Sequence, residues 1–269
     1  MIPGEQMKPE YRSERRVLIT GAAGGLGKAL AFAFAKRDWR LAVCDVDTEG
    51  LAATAEQLRS QGAQILTARC DVTVDDDLKR LRERCESEWG GLDVLINNAG
   101  VASMGAIHKE PLARWQRLID INLLGVVRGC RNFVPLFKQQ GGGHIVNIAS
   151  IAGIANTPYM CAYNATKAAV ISLSETLLVE LKPGNIGVTV VCPAMFKTGI
   201  AQHAAINNPK LKTALESEME KSPITAGDIA ERVFGAVERR KFLLIPHRAS
   251  RWQWRVKRVS SRLYRCLFL

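Results

Sequence analysis

The chain has 269 residues, 47% of them hydrophobic, and a mean hydropathy of -0.02, which suits one large α/β domain with a full core. No run of about 18 consecutive apolar residues occurs, which argues against a spanning helix. The formal net charge is +11, but Arg248 to Leu269 carries six Arg, one Lys and no acid, so 7 of the 11 charges belong to a tail and 4 to the body. The seven cysteines form no C-x-x-C and the four histidines are dispersed, so reduced thiols and no metal site are expected. Residues 1–14 are polar and lack the apolar core of a signal peptide, which reads as a loose extension on a cytoplasmic protein.

Residues 16–20 (RVLIT) read as a short buried strand that runs into Gly21-Ala-Ala-Gly-Gly-Leu-Gly27, with helical periodicity from Lys28 to Arg37. A strand, a glycine-rich turn and a helix place backbone N–H groups where a pyrophosphate can sit. The spacing G-x-x-x-G-x-G departs from the common G-x-G-x-x-G, and a glycine turn alone is also compatible with a purely structural role. The next strand, 40–44, ends at Asp45, eighteen residues after Gly27. An acid near that offset bonds an adenosine ribose and repels a 2′-phosphate, which favours NAD over NADP; Asp45 as a turn or cap residue is the plainer alternative.

Alternation continues with a helix over 51–60, a strand over 64–70 ending at Asp71-Val72, and a helix over 75–89 with an acidic first turn. A strand over 92–96 leads to Asn97-Asn98-Ala99-Gly100, small residues where a cofactor can approach the backbone. Residues 111–134 read as one long helix with Asn122 inside it, a polar residue that either bonds a neighbouring backbone group or performs a task. The strand 144–149 ends at Ser150, and Tyr163 and Lys167 follow at a spacing of four on a helix reaching about Lys182, which stacks them on one face. An ammonium beside a phenol favours the phenolate, so Tyr163 can exchange a proton with an alcohol or carbonyl oxygen, and Ser150 can hold that oxygen. A lone Y-x-x-x-K is common by chance, and an interfacial tyrosine with a solvated lysine is the bland alternative. After the strand 187–192 and Pro193, regularity lapses over 194–223, a length typical of a lid or binding loop with short helices; a helix over 228–241 and a strand over 242–245 follow. Repeated β-then-α order predicts a single-domain, doubly wound, Rossmann-type parallel sheet covered on both faces.

Together these residues closely resemble the short-chain dehydrogenase/reductase family in its classical form. The resemblance spans about 14–247 and rests on Thr20-Gly21-x-x-x-Gly25-x-Gly27, Asp71, Asn97-Asn98-Ala99-Gly100, Asn122, Ser150, Tyr163-x-x-x-Lys167 and Pro193. It implies a catalytic domain over 15–247 in which Tyr163 is the general acid/base, Ser150 positions the substrate oxygen, and Lys167 lowers the tyrosine pKa and bonds the nicotinamide ribose. Asn122 would order a water that links Lys167 to a proton relay. Gly21, Gly25, Leu26, Gly27, Asp45, Asp71, Val72, Asn98, Ala99, Gly100, Pro193 and Thr198 would hold the cofactor, preferably NAD. The family usually has Pro-Gly where this chain has Pro193-Ala194, so no glycine-only conformation can be needed there. The implied reaction is reversible hydride transfer between an alcohol and a carbonyl, in a homodimer or homotetramer built partly on the helices at 111–134 and 163–182. The alternative is an idle NAD(H)-binding sensor or scaffold recruited through its tail; the full Asn-Ser-Tyr-Lys set argues against idleness.

The tail, 248–269, reads as one basic amphipathic helix. Arg251, Arg255, Arg258, Arg262 and Arg265 form one stripe and Trp252, Val256, Val259, Leu263 and Leu267 an adjacent apolar one. Such a helix fits an anionic membrane surface, which would place the protein at a membrane periphery and favour a lipophilic substrate. It also fits packing of the apolar stripe on the body or a second subunit. No nucleic-acid module accompanies the charge, which argues against nucleic acid.

Overall fold

The structure, a computed structural model, describes residues 14–197, 205–206 and 209–268. In chain order the strands are β1 (Arg16–Thr20), β2 (Arg40–Asp45), β3 (Ile65–Arg69), β4 (Val94–Asn97), β5 (Ser103–Met104), β6 (Gly143–Ile148), β7 (Ile186–Val191), β8 (Ala205–Ile206) and β9 (Leu243–Leu244). The first helices are α1 (Gly25–Ala35), α2 (Thr48–Arg59), α3 (Asp75–Trp89), α4 (Leu112–Ile119), α5 (Gly125–Gln139), α6 (Ala152–Ala155) and α7 (Cys161–Glu180). They are followed by α8 (Pro209–Glu220), α9 (Ala226–Glu238), α10 (Arg248–Val259) and α11 (Ser261–Phe268). Seven strands form one sheet in the order β3-β2-β1-β4-β6-β7-β9, every pairing parallel, and β5 pairs with β8 apart from it.

The strands read as continuous apolar runs because both faces are covered; β1 and β6 are buried at every position. On one face Phe34 meets Trp39 and Phe234 edge to face, each at 5.0 Å. On the other, Phe133 and Phe137 are fully buried with Leu78 and Leu81. Helix starts follow local chemistry: Asp47 caps α2 by accepting the Gly50 N–H, and Thr225 with Asp228 forms a capping box on α9. At the amino ends of the strands the Arg16 guanidinium grips Asp93 at 3.0 and 3.1 Å in a buried bidentate pair that pins β1 to β4. Chain order reverses between β1 and β4, which opens a crevice at the carboxyl ends of the strands.

Two regions, the helix expected over 111–134 and the tail, differ from the sequence expectation. The helix expected over 111–134 is two helices, α4 and α5, joined by a π turn at Asp120–Leu124 and continuing to Gln139. The turn holds Asn122, fully buried, with its amide bonded to the Val101 backbone; one residue of extra turn lets that side chain reach inward. In the irregular stretch 194–223 the described part contains β8 and the three-turn α8.

The tail is not one helix. Ser260 is extended (φ -152, ψ 110), ending α10, and its Oγ accepts the Leu263 N–H at 3.1 Å to start α11, a serine capping role that competes with helix continuation. Of the expected apolar stripe, Trp252, Val259, Leu263 and Leu267 are exposed and Val256 is half-buried. Trp254 and Tyr264 face inward instead: the Tyr264 hydroxyl donates to Ala155 O at 2.9 Å, and Lys257 Nζ donates to Ile154 O. No helix of the described residues is long and apolar enough to cross a membrane.

Candidate active site

The crevice widens into a cavity of about 1070 Å³ that runs from Gly21 and Asp45 at one end to Met160, Leu215 and Met219 at the other. At its first end the chain leaves β1 through Gly21, whose φ of +70° suits glycine. A Cβ on Gly27 would lie 2.0 Å from Gly21 O, so the first turn of α1 can approach the loop only with glycine there. Helix α1 begins at Gly25, inside the glycine turn, so its N-terminal N–H groups and positive dipole end face the cavity. Leu26, Ala99 and Gly100 complete this wall.

Polar side chains brace the turn. Asn98 donates its amide to Thr20 O at 2.8 Å and to Gly21 O at 3.0 Å. Asp45 accepts the Ala23 N–H at 2.9 Å and the Asp47 N–H at 3.1 Å, which fixes its carboxylate at the end of β2. Burial alone would raise the Asp71 carboxyl, but the Thr73 N–H and hydroxyl, with Arg69 and Arg128 nearby, hold it below the usual range. Val72 fits against Gly125, where a Cβ would lie 2.9 Å from its Cγ2. Arg69, the register partner of Asp45 on β3, also lines the cavity. Sequence reading did not single it out, although its position at the end of the neighbouring strand was a usable signal.

Midway, Ser150, Tyr163 and Lys167 converge. Ser150 follows β6 and is buried; its Oγ donates to Pro193 O at 3.4 Å and accepts the Ala152 N–H at 3.1 Å. Tyr163 and Lys167 lie one turn apart on α7, both buried. Burial raises the Tyr163 phenol, and the Ser150 hydroxyl opposes part of that rise. Burial also draws the Lys167 ammonium down to about 8, Cys192 opposing. The raised phenol runs opposite to the shift expected from Lys167 alone. Lys167 Nζ lies 5.7 Å from the ring centroid and donates to Ile148 O at 2.8 Å, so desolvation outweighs its charge.

Asn122 sits behind this group. Its Oδ1 accepts the Val101 N–H and its Nδ2 donates to Val101 O, both at 2.9 Å, with Thr166 Oγ1 at 3.3 Å. A Cβ on Gly100 would come within 3.2 Å of Asn122 Oδ1 and 3.5 Å of Lys167 Nζ, so the two side chains flank the same glycine. Pro193 and Ala194 lie opposite. Ala194 has no positive φ, and its N–H is held by His247 Nδ1 at 3.1 Å, a contact no spacing rule could have found. Burial keeps His247 below the ordinary histidine range. Thr198 lies outside the described residues.

The far end is apolar. Met104, Met160, Leu215 and Met219 are buried together with Tyr163, and Trp115, Met195 and Ile206 pack on them. Among the described residues no group of three or more His, Cys, Asp or Glu could hold a metal ion. The glycine cradle, the helix N-terminus and the braced Asp45 fit a dinucleotide.

A family model described as short chain dehydrogenase matches residues 15–208. The chain belongs to the short-chain dehydrogenase/reductase family. This short-chain dehydrogenase is 31% identical over 252 residues to the CLA biosynthesis dehydrogenase/reductase of Lactiplantibacillus plantarum, covering 87% of this chain and 88% of the relative. A solved short-chain dehydrogenase/reductase from Burkholderia phymatum in complex with NAD superposes with a TM-score of 0.87 at 32% identity, covering 93% and 94% of the two chains. One from Sphingobium yanoikuyae in complex with NADPH superposes with a TM-score of 0.77 at 32% identity, covering 92% and 94%. The protein is thus an oxidoreductase of CH–OH donors with a nicotinamide cofactor.

Proposed function

We propose that this dehydrogenase prefers NAD(H) and interconverts a lipophilic alcohol and its carbonyl, with Tyr163 moving the proton. The observation that carries the reading is the burial of Ser150, Tyr163 and Lys167 at the point where a braced polar cleft meets a methionine-lined wall. The nicotinamide supplies or accepts the hydride when bound.

The Ala152 N–H holds Ser150 Oγ in place, and the hydroxyl proton exchanges its long 3.4 Å bond to Pro193 O for one to a substrate oxygen beside the phenol. In reduction Tyr163 donates its proton to that oxygen; in oxidation the phenolate accepts it. Lys167 stays cationic up to about pH 8 and stabilises the phenolate as it forms. Asn122 fixes Val101 and backs Lys167 across Gly100. Gly21, Gly25, Leu26, Gly27, Asp71, Val72, Asn98, Ala99, Gly100 and Pro193 hold the cofactor. Asp45 sets the preference for NAD, its carboxylate repelling a 2′-phosphate against the opposing pull of Arg69.

Residues 194–223 serve as the substrate lid; Met195, Leu215 and Met219 from this segment join Met160 on the apolar wall, and methionine adapts to varied hydrocarbon shapes. The exposed apolar residues Leu112, Ile119 and Leu124 along α4 and the π turn, with Leu178 and Val179 on α7, support a homo-oligomer through these helices.

The deciding experiment is Tyr163→Phe. Turnover falls about 10²–10⁴-fold, the usual contribution of a general acid/base, while NADH affinity measured by fluorescence titration stays within about threefold. Retained turnover sinks the assignment; lost turnover with intact binding also removes the idle-scaffold alternative, because a scaffold has no turnover to lose. Since burial raises the phenol, reduction persists across the neutral range and oxidation climbs with pH, which pH profiles in both directions check.

A further inference from the structure

The two tail helices leave outside the residues that would be expected inside. Trp252, Val259, Leu263 and Leu267 are 54%, 85%, 48% and 53% exposed, while the hairpin is anchored by Trp254, Lys257 and Tyr264. Trp252 and Phe268 meet at 5.4 Å, so α10 and α11 close on each other without hiding that apolar set. All six arginines from Arg248 to Arg265 are exposed. Among the described residues no ion pair reaches any of them, and the segment has no acid of its own.

We propose that the α10–α11 hairpin is a docking surface for an anionic lipid bilayer. Exposed tryptophan and leucine side chains among arginines that no carboxylate reaches, Arg258 lying over the Trp254 ring at 5.4 Å, match an interface where hydrocarbon begins beneath negative headgroups. A second copy fits poorly. A two-fold interface sets the same patch against itself, which here brings six arginines against six. The body, at a net charge of about +4 once the tail's 7 are removed from 11, supplies no excess of acid.

The attachment points give the surface a consequence for the site, which rests on the reading of the cavity proposed above. The tail bonds the carbonyls of Ile154 and Ala155, and Thr157 and Met160, a few residues on, line the substrate end of the cavity. Docking through the hairpin therefore brings that end of the cavity close to the bilayer, so that a lipophilic substrate reaches the site from the lipid phase.

The test is sedimentation of the full chain with vesicles of phosphatidylcholine mixed with phosphatidylglycerol, compared with phosphatidylcholine alone, without cofactor or substrate. Binding to the mixed vesicles, weakened by salt, is expected. The variant Arg251→Gln/Arg255→Gln/Arg262→Gln/Arg265→Gln should lose on the order of 100-fold or more in partition, since each basic residue near an anionic surface contributes about fivefold. Leu263→Ser/Leu267→Ser should weaken binding with the charge unchanged. NADH affinity of both variants serves as the check that the body is folded. Equal partition onto neutral vesicles, or undiminished binding by the four-arginine variant, overturns the proposal. So does a concentration-dependent oligomer that these substitutions dissolve, which would assign the surface to a second copy. Because lipid binding is read without turnover, its failure and the failure of the dehydrogenase reading are separate results.

Discussion

The two ends of the cavity are built by different means. The cofactor end is a template of backbone groups and short hydrogen bonds: Asn98 to Thr20 O and Gly21 O, the Ala23 N–H to Asp45, the Thr73 N–H to Asp71. The substrate end is dominated by apolar side chains and gathers Met104, Met160, Met195 and Met219 from four separate segments. A template of fixed donors and acceptors accepts one shape and rejects near misses strongly, whereas an apolar wall discriminates by only a few kcal/mol per group. One half thus defines the cofactor, and the other defines a class of substrate.

This contrast can be broken experimentally. The largest effect is expected at the template. Gly27→Ala places a methyl against Gly21 O, and overpacking of about 1–3 kcal/mol lowers NADH affinity on the order of 10–100-fold by fluorescence titration, with circular dichroism unchanged. A cofactor site that tolerated this methyl would not be a rigid template. Next is Met219→Ala, which removes apolar contact of about 2 kcal/mol. Here kcat/KM for long-chain alcohols should fall on the order of tenfold or more while short alcohols and NADH affinity barely change; a uniform loss would mean that the wall is structural only. Asp45→Ser should then improve the use of NADP relative to NAD by about tenfold through relief of charge repulsion, and no change in the ratio would pass control of the cofactor to Arg69.

A further effect, on stability, belongs to neither end. His144 is buried, and Thr189 gives its own proton to Lys241 O, so His144 Nε2 is the donor in their 2.8 Å bond and Nδ1 stays bare. Burial, with Arg240 nearby, draws it down to about 3. Its unfolded value is about 6.5, so the unfolded chain alone takes up a proton below that pH. Stability is whole above about 6.5 and is lost toward about 3, by at most about 1.4 kcal/mol per pH unit. His144→Gln should flatten that slope in urea melts between pH 6 and 4, and an unaltered slope would locate the titrating group elsewhere.

What the sequence made legible follows the same division. Gly21, Gly25, Gly27, Asp45, Ser150, Tyr163 and Lys167 were visible because strand ends and helical turns place them at fixed offsets, and the parallel sheet follows from the alternation that carries them. The methionine wall was not visible, since its members share no spacing and meet only through tertiary packing. Asn122 was found as a polar residue in an apolar run, but the π turn that lets it reach Val101 leaves no periodic trace in five residues. Arg69 becomes relevant only once β3 is known to lie beside β2. The tail was misread at Ser260: helical periodicity continues across it, and one side-chain cap decides against continuation.

The strand order also bears on how the chain is made. The first strand among the described residues, β1, ends in the interior of the sheet, with β2 on one side and β4 on the other. Three strands can assemble as soon as residue 69 is available, but the second edge of β1 waits until Val94–Asn97 arrives. During that interval an apolar strand presents unpaired backbone groups, the kind of edge that invites pairing with other chains. Synthesis that stalls between β3 and β4 therefore leaves the nascent protein at its most adhesive stage, and the arrival of Asn97 ends that exposure at the same moment as it supplies the second wall of the cofactor crevice.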